Sequence, residues 1–211
     1  EVDIVIVGNP PGGDLARFSR LRFVQSTWAG VDALVEGAPP VPIARLVAPA
    51  LAELMAEFVS AAVLMAHRGF PEYRRSQELR EWAPRTVTPA RRRRVGVLGF
   101  GALGAPAARR LAAEGFDVMA WARTPRSDEV PVVAEEEGWR RLLERSEILV
   151  NLLPLTGETR GILDSQAFDL LGPGATLVNV ARGGHVVDQD LLAALDDGRL
   201  ADAILDVFAT E

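Results

Sequence analysis

Val95-Gly96-Val97-Leu98-Gly99-Phe100-Gly101-Ala102-Leu103-Gly104 decides how this chain is read. An apolar strand signal runs into glycines at 99, 101 and 104, and an alanine-rich, helix-compatible segment follows. In that strand–turn–helix setting, G-x-G-x-x-G marks a turn that holds a dinucleotide. Gly99 permits the tight turn, Gly101 lets the backbone approach a pyrophosphate, and Gly104 lets the helix pack closely on the strand. Ala102 and Leu103 complete the turn. The helix then presents N–H groups and the positive end of its dipole to the phosphates.

Outward from the turn, strand signals fit residues 95–99, 117–121, 147–151, 175–180 and 202–207. Helical spacing fits 103–114, 137–145, 158–171 and 188–197. Strands alternating with helices imply a doubly wound parallel sheet, a Rossmann dinucleotide-binding domain with its ligand at the carboxyl ends of the strands. Upstream, short βα units with strands at 3–7, 21–25 and 41–46 suggest a smaller, partial flavodoxin-like domain. Between them Leu51, Leu54, Met55, Phe58, Ala62 and Met65 recur at helical spacing, with Val59 and Val63 widening the stripe. A helix this apolar needs cover on more than one side. It is expected to bridge domains or close a homodimer, or else to lie in a core. Pro84 to Arg94 reads as the crossing, which divides the chain into a substrate domain with its interdomain helix (1–90) and a cofactor domain (91–211).

Composition narrows the chemistry. Cysteine is absent from the 211 residues, which removes disulfides, thiolate metal ligands and cysteine nucleophiles. All 23 basic residues are arginine, so no lysine Schiff base or Walker-type lysine exists here. No metal site is expected. A net charge of −6 gives no reason to expect nucleic acid, and the run Arg91–Arg94 reads as a solvated crossing. Glu53 and Glu57 interrupt the apolar stretch 50–66, which argues against a membrane span and for a cytoplasmic protein.

The strand ends carry the candidate chemistry. The strand ending at Trp121 is followed by Arg123, Thr124 and Arg126, with no carboxylate where an NAD ribose would need one. Two guanidiniums and a hydroxyl favour a 2′-phosphate, hence NADP over NAD. Arg182 follows a buried strand and precedes Gly183 and Gly184, which puts a five-donor cation at the ligand edge. Asp206, in an apolar strand, needs a partner that a nicotinamide carboxamide could supply. The turn Trp28-Ala29-Gly30-Val31-Asp32 could offer backbone N–H groups to a carboxylate, or be a plain strand-to-helix turn.

Together these segments resemble the D-isomer-specific 2-hydroxyacid dehydrogenases, and most of all their glyoxylate/hydroxypyruvate reductase A branch. The matching pieces are Trp28 to Asp32, Gly99 to Gly104, Trp121 to Thr124, Leu153-Pro154-Leu155-Thr156, Asn179 to Gly184 and Leu205 to Glu211. The resemblance implies an oxidoreductase that transfers hydride between NAD(P)H and C2 of a small 2-oxoacid. It also implies that Arg182 binds the substrate carboxylate and carbonyl, and that Ala29, Gly30 and Val31 contact the same carboxylate. Leu153, Pro154 and Asp206 would touch the cofactor, and Glu211 would partner a catalytic histidine. In the family that histidine lies beyond the position matching Glu211. His67 and His185 are not expected to replace it, so the chain as given reads as an inactive part of a longer enzyme. A non-catalytic NAD(P)-binding regulator on the same scaffold is the alternative.

Overall fold

The computed structural model describes residues 1–124 and 126–210. Two compact units divide the chain, Glu1–Pro49 and Ala50–Glu211. In the first, strands β1 (Ile4–Val7), β2 (Phe23–Ser26) and β3 (Ile43–Ala44) form a parallel sheet in that order. A one-turn helix α1 (Asp32–Val35) follows the turn after β2. Strand alternation sends Val5 and Val7 onto a small core of Leu15, Leu21, Val24 and Leu34, while Ile4 and Ile6 face outward. The expected strand 41–46 contracts to two residues, and on its amino side Pro42 has no N–H for the ladder.

The second unit opens with α2 (Pro49–His67) and α3 (Phe70–Leu79). It continues through β4 (Arg94–Leu98), α4 (Gly104–Ala113), β5 (Asp117–Trp121), β6 (Val132–Val133) and α5 (Glu135–Arg145). Then come β7 (Ile148–Asn151), α6 (Ser165–Leu170), β8 (Ala175–Asn179), α7 (Asp188–Asp196) and β9 (Leu200–Leu205). Six parallel strands lie in the order β6-β5-β4-β7-β8-β9, which is the doubly wound order of a Rossmann sheet. The chain reverses its direction of winding beside β4, the place where sheets of this order bind ligands at the carboxyl ends of their strands.

Both faces of the sheet are covered. On one, Val95, Val97 and Val150 pack with Ala107, Ala108 and Leu111 of α4 and with Ala56, Val59 and Val63 of α2. On the other, Leu98, Leu149 and Leu177 pack with Leu142 and Leu143 of α5, Phe168 of α6 and Leu191 of α7. Each fully buried Val, Leu or Phe among them contributes about 1.5–3 kcal/mol of transfer free energy. The shared core explains why α2 belongs to the second unit, so the compact boundary lies at Pro49 rather than at the arginine run. By length and hydropathy α2 could cross a membrane. One side of it is instead buried against α4 and the sheet.

The expected helix 158–171 is mostly turn. Thr159 donates its hydroxyl to Pro154 O at 2.7 Å and accepts Thr156 N–H at 2.8 Å, and Gly161 is left-handed. Helix begins only where Asp164 caps Ala167 N–H.

Candidate active site

The glycine turn leaves β4 with Gly99 at φ +95°, a conformation that a side chain would strain. A Cβ on Gly104 would stand 1.9 Å from Gly99 O, so only glycine brings α4 this close to the strand. At Gly101 the opposite holds: a Cβ would meet nothing within 4 Å. Gly101 and Ala102 are exposed, and no side chain caps the start of α4. Space above Gly101 and an exposed turn leading into a helix start suit a pyrophosphate. The residues present therefore fit a dinucleotide.

Past β5, Arg123, Thr124 and Arg126 are all exposed, and the Arg126 guanidinium donates to Phe100 O at 3.5 Å. The loop that would meet a ribose thus touches the glycine turn. Leu153, after β7, is buried with its N–H donated to Asn151 Oδ1 at 3.2 Å, while Pro154 is exposed.

A pair of buried asparagines organises the next two strand ends. Asn151 Nδ2 donates to Asn179 Oδ1 at 3.0 Å, and that oxygen also accepts Ala181 N–H at 3.3 Å. Asn179 Nδ2 in turn donates to Arg182 O at 3.0 Å, and His185 Nδ1 lies 3.1 Å from the same carbonyl. These contacts fix the backbone of Arg182, whose half-buried side chain donates to Ala181 O at 2.7 Å. A Cβ on Gly183 would lie 1.9 Å from the Phe208 carbonyl carbon, so this glycine seats the Arg182 loop on the segment after β9. Sequence patterning alone assigns neither asparagine a role. Their signal is a polar residue at the last position of two buried strands.

Asp206 differs from expectation. The strand ends at Leu205, and the Asp206 side chain is exposed, so burial imposes no need for a partner. Its N–H extends the ladder to Asn179 O at 3.0 Å, which leaves the carboxylate at the same edge as Arg182. Glu211 lies outside the described residues. His185 is fully buried. His67 ends α2 at the other end of the sheet, where its Nδ1 accepts from Arg93 Nε at 3.4 Å. Desolvation, followed by the charges of Arg93 and Arg68, holds its pKa below the ordinary value, with Glu147 opposing. Among the first unit's residues, Ala29, Gly30 and Val31 are half-buried between β2 and α1. Ala29 O accepts from Arg45 Nη1 at 3.2 Å.

A doubly wound sheet with a phosphate-binding turn and an arginine at its carboxyl edge defines a dinucleotide-dependent protein. Residues 60–211 match the family model described as D-isomer specific 2-hydroxyacid dehydrogenase, NAD binding domain. This chain belongs to that family. It is 43% identical over 218 aligned positions to glyoxylate/hydroxypyruvate reductase A of Serratia proteamaculans, covering 99% of this chain and 70% of that one. A D-isomer specific 2-hydroxyacid dehydrogenase from Xanthobacter autotrophicus Py2, solved with NADPH and MES, superposes at a TM-score of 0.94. The identity is 44%, over 100% of this chain and 68% of that one. An NADPH-dependent glyoxylate/hydroxypyruvate reductase from Sinorhizobium meliloti, solved with NADP and sulfate, gives 0.92 at 36% identity, over 100% and 69%.

Proposed function

We propose that this protein reduces a small 2-oxoacid of the glyoxylate/hydroxypyruvate type at C2, with NADPH preferred and NADH a weaker alternative. The observation that carries the reading is the collection of the glycine turn, Leu153-Pro154, Arg182 and Asp206 at successive carboxyl ends of one parallel sheet. The names and bound cofactors of the similar proteins support it.

When bound, a reduced nicotinamide supplies hydride. The residues of this chain do the rest. Gly99 to Gly104 hold the pyrophosphate through backbone N–H groups and the start of α4. Arg123, Thr124 and Arg126 receive the 2′-phosphate, for which guanidinium forks are suited. Leu153 and Pro154 flank the dinucleotide, and Asp206 takes the carboxamide. Arg182 grips the substrate carboxylate and draws electron density from the carbonyl, stabilising the alkoxide as it forms. By the family resemblance, Ala29, Gly30 and Val31 are assigned backbone contacts to a substrate carboxylate. Glu211 is assigned to raise the pKa of a histidine that protonates the alkoxide. Neither buried His185 nor His67, at the opposite sheet edge, suits that duty.

The reading extends to assembly and setting. Leu54, Phe58, Leu64 and Met65 form an exposed apolar strip on α2, which suits a homodimer contact. Phe58→Glu should then give monomers by light scattering. A cytoplasmic location suits an enzyme that draws on free NADPH. The function itself is tested by assaying the full-length protein with glyoxylate and hydroxypyruvate, using NADPH and NADH in parallel. Faster turnover with NADPH is expected. No oxidation with either acid would overturn the activity, and equal rates with NADH would overturn the cofactor preference.

A further inference from the structure

We propose that Arg109 and Asp128 form a latch that sets selectivity for a 2′-phosphorylated dinucleotide by holding the stretch about Arg126, beyond β5, against the glycine turn. This rests on the NADP reading above.

The loop leaves β5 with exposed, long side chains, and arginines lose rotamer entropy when they converge on one phosphate. Holding the loop backbone in advance reduces what binding must order. Asp128 is the anchor. Its carboxylate takes Arg109 in a two-point grip, Nε to Oδ1 at 3.2 Å and Nη2 to Oδ2 at 2.5 Å, and Oδ1 also accepts Val130 N–H at 3.3 Å. The Asp128 side chain is only 11% exposed. Arg109 stands on α4, the helix that begins at the phosphate turn, and its guanidinium lies 5.6 Å from the Phe100 ring centroid. Phe100 O meanwhile accepts from Arg126. Both ends of Phe100, ring and carbonyl, are therefore engaged by arginines tied to this loop. Asp128 is otherwise misplaced. A carboxylate beside a phosphate site repels the ligand unless it serves to hold something else.

That conflict gives the test opposite signs. If Asp128 acted only through its charge, Asp128→Asn would tighten binding of a 2′-phosphate. If it is a latch, the same change loosens it. Affinities of the full-length protein for 2′,5′-ADP, 5′-AMP, NADPH and NADH would be measured by calorimetry. The panel is wild type, Asp128→Asn, Asp128→Glu, Arg109→Gln and the Asn/Gln double variant. Asp128→Asn and Arg109→Gln should each cut the 2′,5′-ADP to 5′-AMP preference about ten-fold, and the double variant should lose no more than either alone, as expected of one coupled pair. Asp128→Glu should recover part of the preference. Affinity for 5′-AMP and NADH should move by less than about two-fold, since neither carries the 2′-phosphate that the held loop receives. An unchanged or increased preference in Asp128→Asn overturns the latch, as does an equal loss for all four ligands. A wild type with no preference for 2′,5′-ADP overturns the NADP reading beneath it.

Discussion

The two edges of the six-stranded sheet are built from different materials. At the amino edge charges are closed on one another: Glu147 accepts from Arg93 at 3.0 Å and from the side chain and N–H of Arg94, and Arg145 pairs with Asp117. At the carboxyl ends of β4, β7 and β8, glycines and two neutral amides do the positioning, through the Asn151–Asn179 pair and the close approaches at Gly104 and Gly183, and a charge pair, Arg109–Asp128, enters only beyond β5. Neutral dipoles fix a backbone without cancelling the field of a nearby cation, whereas a carboxylate would compete with an anionic ligand for it. One edge is closed by charge pairs, and the other is the edge to which the proposed function assigns the ligands. The contrast can be broken by exchanging their properties.

The largest effect belongs to Arg182. Arg182→Gln should lower kcat/KM for the 2-oxoacid by about 10²–10³-fold, the scale for removing a donor that stabilises a developing oxyanion. Affinity for NADPH, titrated separately, should stay near wild type. Next come two glycines of a single motif, which the structure separates. Gly104→Ala forces a Cβ into Gly99 O and should cost about 3 kcal/mol in urea unfolding, the upper range for overpacking. Gly101→Ala has open space and should fold as well as wild type, yet lose dinucleotide affinity. Equal stability losses in the two would erase the division of labour between them. Asn179→Ala leaves Asn151, Ala181 and Arg182 short of partners and should cost about 1–3 kcal/mol. It should also lower kcat/KM, because the Arg182 backbone loses its anchor.

Most of the framework that carries the proposed ligand edge was legible in the sequence. Strand periodicity located β4, β5, β7 and β8, and the glycine spacing located the turn, since both depend on local backbone requirements that sequence states directly. Arg182 was legible because a charge after a buried strand is conspicuous. What escaped depends on contacts distant in the chain. The Asn151–Asn179 bond spans two strands, and the Arg109–Asp128 pair joins a helix to a loop. Strand β6 is two residues long, too short for any period to show. The extent of α6 was misjudged because Thr159 and Asp164 bond to nearby backbone in ways that compete with helix, and apolar spacing is blind to that competition. The Pro49 boundary escaped for a related reason: only the packed structure shows which core the α2 stripe joins.

The smallest effects sharpen the comparison from the amino edge. Surface ion pairs contribute little, so Glu147→Gln should cost at most about 1 kcal/mol and leave NADPH affinity unchanged. His67 adds a pH signature to the same cluster. Its folded pKa lies below the ordinary 6.5, through desolvation first and then Arg93 and Arg68. The unfolded chain therefore binds a proton more readily than the folded one, and stability falls as pH drops through 6.5 toward the folded value. Above that window the imidazole is neutral in both states and contributes no slope. The Asp128 carboxyl, held low by Arg109, titrates well below this range and does not overlap. Urea midpoints of wild type and His67→Gln, followed from pH 8 to pH 5, should run parallel at the alkaline end and converge below pH 6.5, with wild type losing more. Cofactor affinity should show no matching difference between the two proteins, because this histidine sits at the edge that holds the sheet together. A His67-dependent change in NADPH binding would mean that the two edges are not separate after all.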